Sequence, residues 1–93
     1  MVRGPAIKVL TGVNAGRVFP LDKSETLIGR AGVQIVALRR AGDEIRLVPI
    51  EGARLPSVNG RPVASEGQRV VAGDIVEVSG ARLELLRGPI ARA

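Results

Sequence analysis

The chain has 93 residues, 45% hydrophobic and 25% charged, with a formal net charge of +5. That profile fits one small globular domain with a modest core. It contains no Cys and no His, which excludes disulfides, thiolate metal sites, a Cys nucleophile and an imidazole general base.

The carboxylates are scattered, with no acidic cluster resembling a calcium loop. Catalysis, a cofactor and a metal are therefore not expected. The core has to be aliphatic, because Phe19 is the only aromatic residue. The positive charges are almost all Arg and are spread along the chain, which reads as a solvated basic surface rather than a nucleic-acid patch. No apolar run reaches the length of a membrane span and no signal-peptide pattern opens the chain, so a cytoplasmic protein is expected.

In chain order, Ala6 to Leu10 reads as a first strand and Gly12 to Gly16 as a turn. Arg17 to Leu21 makes a second strand, with Pro20 confining it to an edge or a break. Asp22 to Glu25 is a polar turn. Thr26-Leu27-Ile28-Gly29-Arg30 then runs three strand-forming residues into a glycine and a guanidinium. Gly29 frees the backbone, so Arg30 is aimed off the end of a sheet as a five-donor fork suited to phosphate or carboxylate.

Gln34 to Arg40 is apolar on both faces, the mark of a central strand. Ala41-Gly42-Asp43 turns the chain into Glu44 to Val48, and Pro49 to Ser57 reads as loop. Val58-Asn59-Gly60-Arg61 is a tight turn of the Asn-Gly type, and Pro62-Val63 begins a short strand. Gln68 to Val71 is another. Ala72-Gly73-Asp74 leads into Ile75 to Val78, Ser79-Gly80 turns again, and Ala81 to Leu86 closes. The tail after Gly88 is expected to fray.

No segment shows a capped helical period. Short strands separated by close-spaced turns predict an all-β, antiparallel sandwich or small barrel. Its inner face is expected to hold Ile7 or Val9, Phe19, Ile28, Ile35, Leu47, Ile75, Val78 and Leu83 or Leu85. Gly29, Gly60 and Gly73 are expected at turns where a Cβ is costly.

Four landmarks in this order resemble the forkhead-associated (FHA) domain. They are the hairpin with Gly12 and Gly16, the strand end Leu27-Ile28-Gly29-Arg30, Val58-Asn59-Gly60, and Gly73 to Val78 before the last strand. The likeness runs from about Ile7 to Leu86 and implies a single FHA-like β-sandwich over residues 1–93, with its core at about 6–87. It also implies a non-catalytic interaction module, a signalling adaptor whose loops bind phosphothreonine peptides.

The family's ligand site uses the Gly-Arg arginine, a Ser with a His three residues later, and an Asn in a Ser-x-Asn-Gly loop. Arg30 matches the arginine. Val33 and Val36 stand in register with the Ser and the His. Asn59 falls on either the ligand loop or a second, structural Val-Asn-Gly. The spacing to Gly73-Asp74 favours the second, with Glu51 to Pro56 replacing the ligand loop.

The resemblance therefore implies a phosphothreonine pocket that is degenerate, with Arg30, Arg39, Arg54 and Asn59 as candidate partner-binding residues. Arg40 is a further neighbour. The expected partner is a protein or peptide, acidic or phosphorylated, or a second copy of the domain. An Arg-rich rearranged pocket is the alternative. RNA binding ranks third, since residues 58–78 are similar to a hairpin of small RNA-binding domains whose basic helices are not predicted here.

Overall fold

A computed structural model describes residues 4–87. Among these residues there are ten strands and no helix. They are β1 (Pro5–Val9), β2 (Val18–Pro20), β3 (Glu25–Arg30), β4 (Gln34–Ala41) and β5 (Glu44–Gly52). β6 (Ser57–Val58), β7 (Arg61–Pro62), β8 (Gln68–Val70), β9 (Ile75–Val78) and β10 (Ala81–Arg87) complete the set.

One sheet has the order β2-β1-β10-β9-β6-β7 and the other β3-β4-β5-β8, with every pairing antiparallel. The antiparallel β-sandwich expected from the turn spacing is the architecture observed. The helices that the RNA-binding alternative requires are strands here. The tail following Gly88 lies outside the described residues.

Alternation along the strands fills the space between the sheets. Val36 and Leu38 of β4, Ile45 and Leu47 of β5 and Val70 of β8 come from one side. Ile7, Val58, Val76, Val78, Leu83 and Leu85 come from the other, with Leu21 and Val63 from the connections. The packing is wholly aliphatic, as a chain with one aromatic residue requires. β4 does lie centrally, between β3 and β5. Pro20 does lie on an edge strand, where a missing donor interrupts no ladder.

Four expectations need correction. Phe19 has inward parity opposite Ile7, but β2 is the outermost strand and the ring stays 41% exposed. Ile35 is on the outer face of its sheet, beyond the inward Val36, and is half-buried. Ile75 likewise faces outward while Val76 takes the inner position, because Val76 and Val78 share one parity. The fourth concerns Pro49 to Ser57, which is not one loop, since β5 runs on to Gly52.

The extension of β5 passes through a bulge. Val36 pairs Pro49 and Ile35 pairs Glu51, leaving Ile50 without a partner. β8 accompanies β5 only from Ile45 to Leu47, so Pro49 lies beside a bulge on a stretch with no neighbour on one side. Both settings tolerate its missing donor.

Leu47 is fully buried, and truncation leaves a cavity in a close-packed interior. Leu47→Ala is expected to destabilise by about 2–5 kcal/mol in urea denaturation. Val71→Ala, at a site 52% exposed, is expected to stay within about 0.5 kcal/mol.

Candidate functional site

The β3–β4 hairpin begins from a pair, Arg30 opposite Gln34, closed by Ala31-Gly32-Val33 with the Val33 N–H donating to the Arg30 carbonyl at 3.0 Å. Arg30 shares the parity of Thr26 and Ile28, so it leaves the strand over the open end of the sandwich. Arg30 is exposed and forms no salt bridge among the described residues.

Gln34 is the one buried polar side chain among the described residues. Its Nε2 donates to the Arg54 carbonyl at 3.0 Å, and its Oε1 accepts the Ser79 N–H at 2.7 Å. The Ser79 hydroxyl lies 3.4 Å from the Gln34 carbonyl. One carboxamide therefore joins the hairpin to the β5–β6 connection and to the β9–β10 turn. The Ser79 anchor also holds a non-glycine residue at φ 52°, a left-handed conformation that ordinary side chains seldom adopt.

Two glycines let the backbone close around Gln34. Gly29 (φ 132°) lies within the β3 ladder opposite Ile35 rather than in a turn, and a Cβ there would overlap the Gln34 carbonyl. Gly52 (φ 126°) stands opposite Gln34 on the other side. A Cβ on it would meet the Val33 carbonyl at 2.8 Å. Gly60 and Gly73 are at turns, with φ of 83° and 95°.

An open cleft of about 520 Å³ lies at this end, lined by Gly32, Val33, Gln34, Ala53, Arg54, Glu77, Ser79 and Gly80. Its electrostatics are mixed. Arg54 and Glu77 both line it, Glu77 also contacts Arg82 at 3.4 Å, and the Glu51 Oε1 accepts the Gly32 N–H at 2.7 Å. A carboxylate thus already sits on a backbone donor of the loop that follows Arg30. Val33 is 54% exposed at the rim, whereas Val36 is in the core and contributes nothing to this surface.

The structure brings Arg30 and Arg54 to one end and leaves the other candidates elsewhere. Arg39 is five positions along β4 from Gln34, roughly 17 Å away by strand rise, and its Nε contacts Glu25 at 2.9 Å. Arg40 donates to the Leu21 and Gly42 carbonyls at 2.9 and 2.8 Å.

Asn59 belongs to the opposite end of β9 from Ser79, since its N–H donates to the Ile75 carbonyl. Its side chain accepts the Ile75 N–H at 2.9 Å and donates to Asp74 at 3.0 Å. At φ 51°, followed by Gly60, Asn59 closes the β6–β7 hairpin in the primed geometry that such turns favour. Sequence reasoning missed Gln34, Glu51 and Ser79. The only signal available was a Gln opening an otherwise apolar inward row.

No family model and no curated protein matches the chain. Solved structures do share its fold. The FHA domain of FhaA, complexed with the intracellular domain of Rv3910, is 16% identical and superposes with a TM-score of 0.71 over 88% of this chain and 99% of that one. An FHA structure from work on phosphothreonine-dependent FHA domain interactions is 17% identical, with a TM-score of 0.72 over 92% and 98%. The FHA structure of Rv0020c is 17% identical, with a TM-score of 0.71 over 88% and 90%. The fold is that of FHA domains.

Replacing Gln34 with Leu leaves the Ser79 N–H and the Arg54 carbonyl without their part-buried hydrogen-bond partner. Gln34→Leu is expected to cost about 1–3 kcal/mol on unfolding and to speed hydrogen exchange at the Ser79 amide. Gly29→Ala is expected to cost more than Gly60→Ala, for which about 1 kcal/mol is expected from φ alone. Equal losses in the two thermal melts would remove the close approach at Gln34 as the reason for Gly29.

Proposed function

We propose that this domain is a non-catalytic, cytoplasmic protein-interaction module that engages its partner at the Arg30–Arg54 end, with phosphate contributing little to recognition. The observation that carries this reading is the Glu51 carboxylate on the Gly32 N–H. A phosphate with nearly two negative charges needs several charge-assisted hydrogen bonds. Here a loop donor is taken by an internal anion, Val33 offers no hydroxyl, and the Gln34 carboxamide is already bonded to Arg54 and Ser79. Each missing contact forfeits roughly 1.5–3 kcal/mol, and two of them weaken micromolar binding towards millimolar. An exposed apolar residue beside an unpaired guanidinium suits an acidic or unphosphorylated protein segment instead.

A second reading is favoured by one fact: Arg30 and Arg54 share an end of the sandwich and neither forms an ion pair among the described residues. An arginine pair of this kind would make a rearranged phosphothreonine pocket. The FHA structures above also lend support to phosphopeptide binding as a class of function.

Matched threonine and phosphothreonine peptides, titrated at low and physiological salt, separate the two. The expected result is an affinity gain from phosphate below roughly tenfold that shrinks as salt rises, as general charge attraction does. A large, salt-resistant gain abolished by Arg30→Ala would replace the first reading with the second.

A further inference from the structure

The chain has two asparagines, Asn14 and Asn59, and only Asn59 is followed by glycine. Asparagine is thermolabile, and this dipeptide is its most reactive setting. Glycine has no side chain to hinder its own amide nitrogen, which is free to attack the carboxamide carbon of the residue before it. Asn14 precedes Ala15, whose methyl group shields that nitrogen. Asn59 and Gly60 form the two-residue loop between Val58 and Arg61, and both are exposed. An open cleft of about 390 Å³ lies against them, so water reaches the site.

The fold restrains this asparagine at both ends of its carboxamide. Its Oδ1 accepts the Ile75 N–H at 2.9 Å, and its Nδ2 donates to the Asp74 Oδ1 at 3.0 Å. Asp74 is itself fixed, because its Oδ2 accepts the Val71 N–H at 2.9 Å. The Asp74 N–H donates to the Val71 carbonyl at 3.0 Å, and the Asn59 N–H to the Ile75 carbonyl at 2.8 Å. The side chain is therefore clamped on the β8–β9 turn. Deamidation expels Nδ2, so the bond to Asp74 has to break on the way.

We infer that Asn59-Gly60 is a deamidation site gated by this clamp, reacting when the β6–β7 hairpin lifts from the β8–β9 turn. The Gly60 nitrogen bonds to the Asn59 Cγ and gives up its proton. The Cγ–Nδ2 bond breaks, and ammonia leaves with that proton. Water then adds to one of the two carbonyls of the succinimide ring and opens it. The product is aspartate or isoaspartate at position 59, formed without an oxidant or a cofactor.

Either product undoes the contact that protected the site. A carboxylate replaces the amide donor that faced Asp74, so like charges stand where a hydrogen bond was. Isoaspartate also adds one carbon to the main chain of a loop whose two-residue length sets the Val58–Arg61 and Ser57–Pro62 register. A transient opening at this end of β9 is thereby made permanent.

Peptide mass spectrometry on the folded protein and on the protein in urea, aged side by side at mildly alkaline pH, tests the inference. In urea, Asn59 is expected to react ahead of Asn14, at roughly tenfold or more the rate in the folded protein, as two broken hydrogen bonds imply. Gly60→Ala is expected to slow the reaction in urea several-fold. In the folded state Asp74→Ala is expected to speed it by roughly tenfold, whereas Glu77→Ala, on the same strand but off the carboxamide, leaves it unchanged. Aged, deamidated protein is expected to exchange its Ile75 and Val71 amides faster. The folded-to-urea ratio needs no variant, so it decides the matter even where Asp74→Ala does not fold. Equal rates in the two states, a folded Asp74→Ala protein that reacts no faster, or Asn14 reacting first would each overturn the inference.

Discussion

The carboxamide of Gln34 fixes the end of this sandwich on which the loops depend. A buried amide is tolerable only when its groups are paired, and both are paired here, to Arg54 and Ser79. No buried side-chain nitrogen or oxygen among the described residues lacks a partner. The contact spans the two sheets, since Gln34 opens β4 and Ser79 follows β9. It supplies direction that aliphatic packing lacks: the core holds the sheets together, while the amide says which loops meet. Gly29 and Gly52 are part of the same device, because their missing side chains leave the Gln34 backbone its space.

The basic character of the chain is dispersed by the ladders. Arg39, Arg46 and Arg69 stand directly opposite one another across β4, β5 and β8, an arrangement of like charges that is unfavourable by itself. Glu25 pairs with Arg39 at one end of the row and Glu44 with Arg69 at the other. These pairs are solvent-exposed and worth little individually, yet they offset the repulsion where it arises. The row is a solvated face of the sheet, and it leaves Arg30 and Arg54 as the arginines of the loop end.

An aliphatic core also shapes what the edges do. Small and branched side chains fill the centre between the sheets without reaching the margins. The margin next to β2 and β3 stays open and apolar, lined by Val9, Leu27, Ile28 and Phe19, and the Phe19 ring carries the Arg17 guanidinium 5.6 Å from its centre. The opposite margin, by β8, is bordered by charge instead, with Arg69 and Glu44 paired there. The two sides of one small sandwich accordingly differ in polarity.

Most strands, the turn positions and the antiparallel class were legible in the sequence, because Gly, Asn-Gly and Pro mark turns through φ and missing donors, which are local properties. β6 was not, its two residues falling in what reads as loop and turn. The inward row of β5 was legible from its alternation, whereas β4 is apolar on both faces, and Val36 and Leu38 rather than Ile35 fill the core. Which of Ile75 and Val76 faces the core depends on the pairing of β9 with β10, and whether Phe19 is covered depends on where the other sheet stops. The run from Pro49 to Gly52 looked like loop, since proline's cost in a strand vanishes only beside a bulge and a free edge, both non-local features. Arg30 at a loop end followed from Gly29-Arg30. The separation of Arg39 and Asn59 from it, and the convergence of Gln34, Arg54, Ser79 and Glu51, did not. Local backbone chemistry determined the strands and turns; register between distant strands decided which side chains meet, because proximity across a sheet is set by pairing partners far away in sequence.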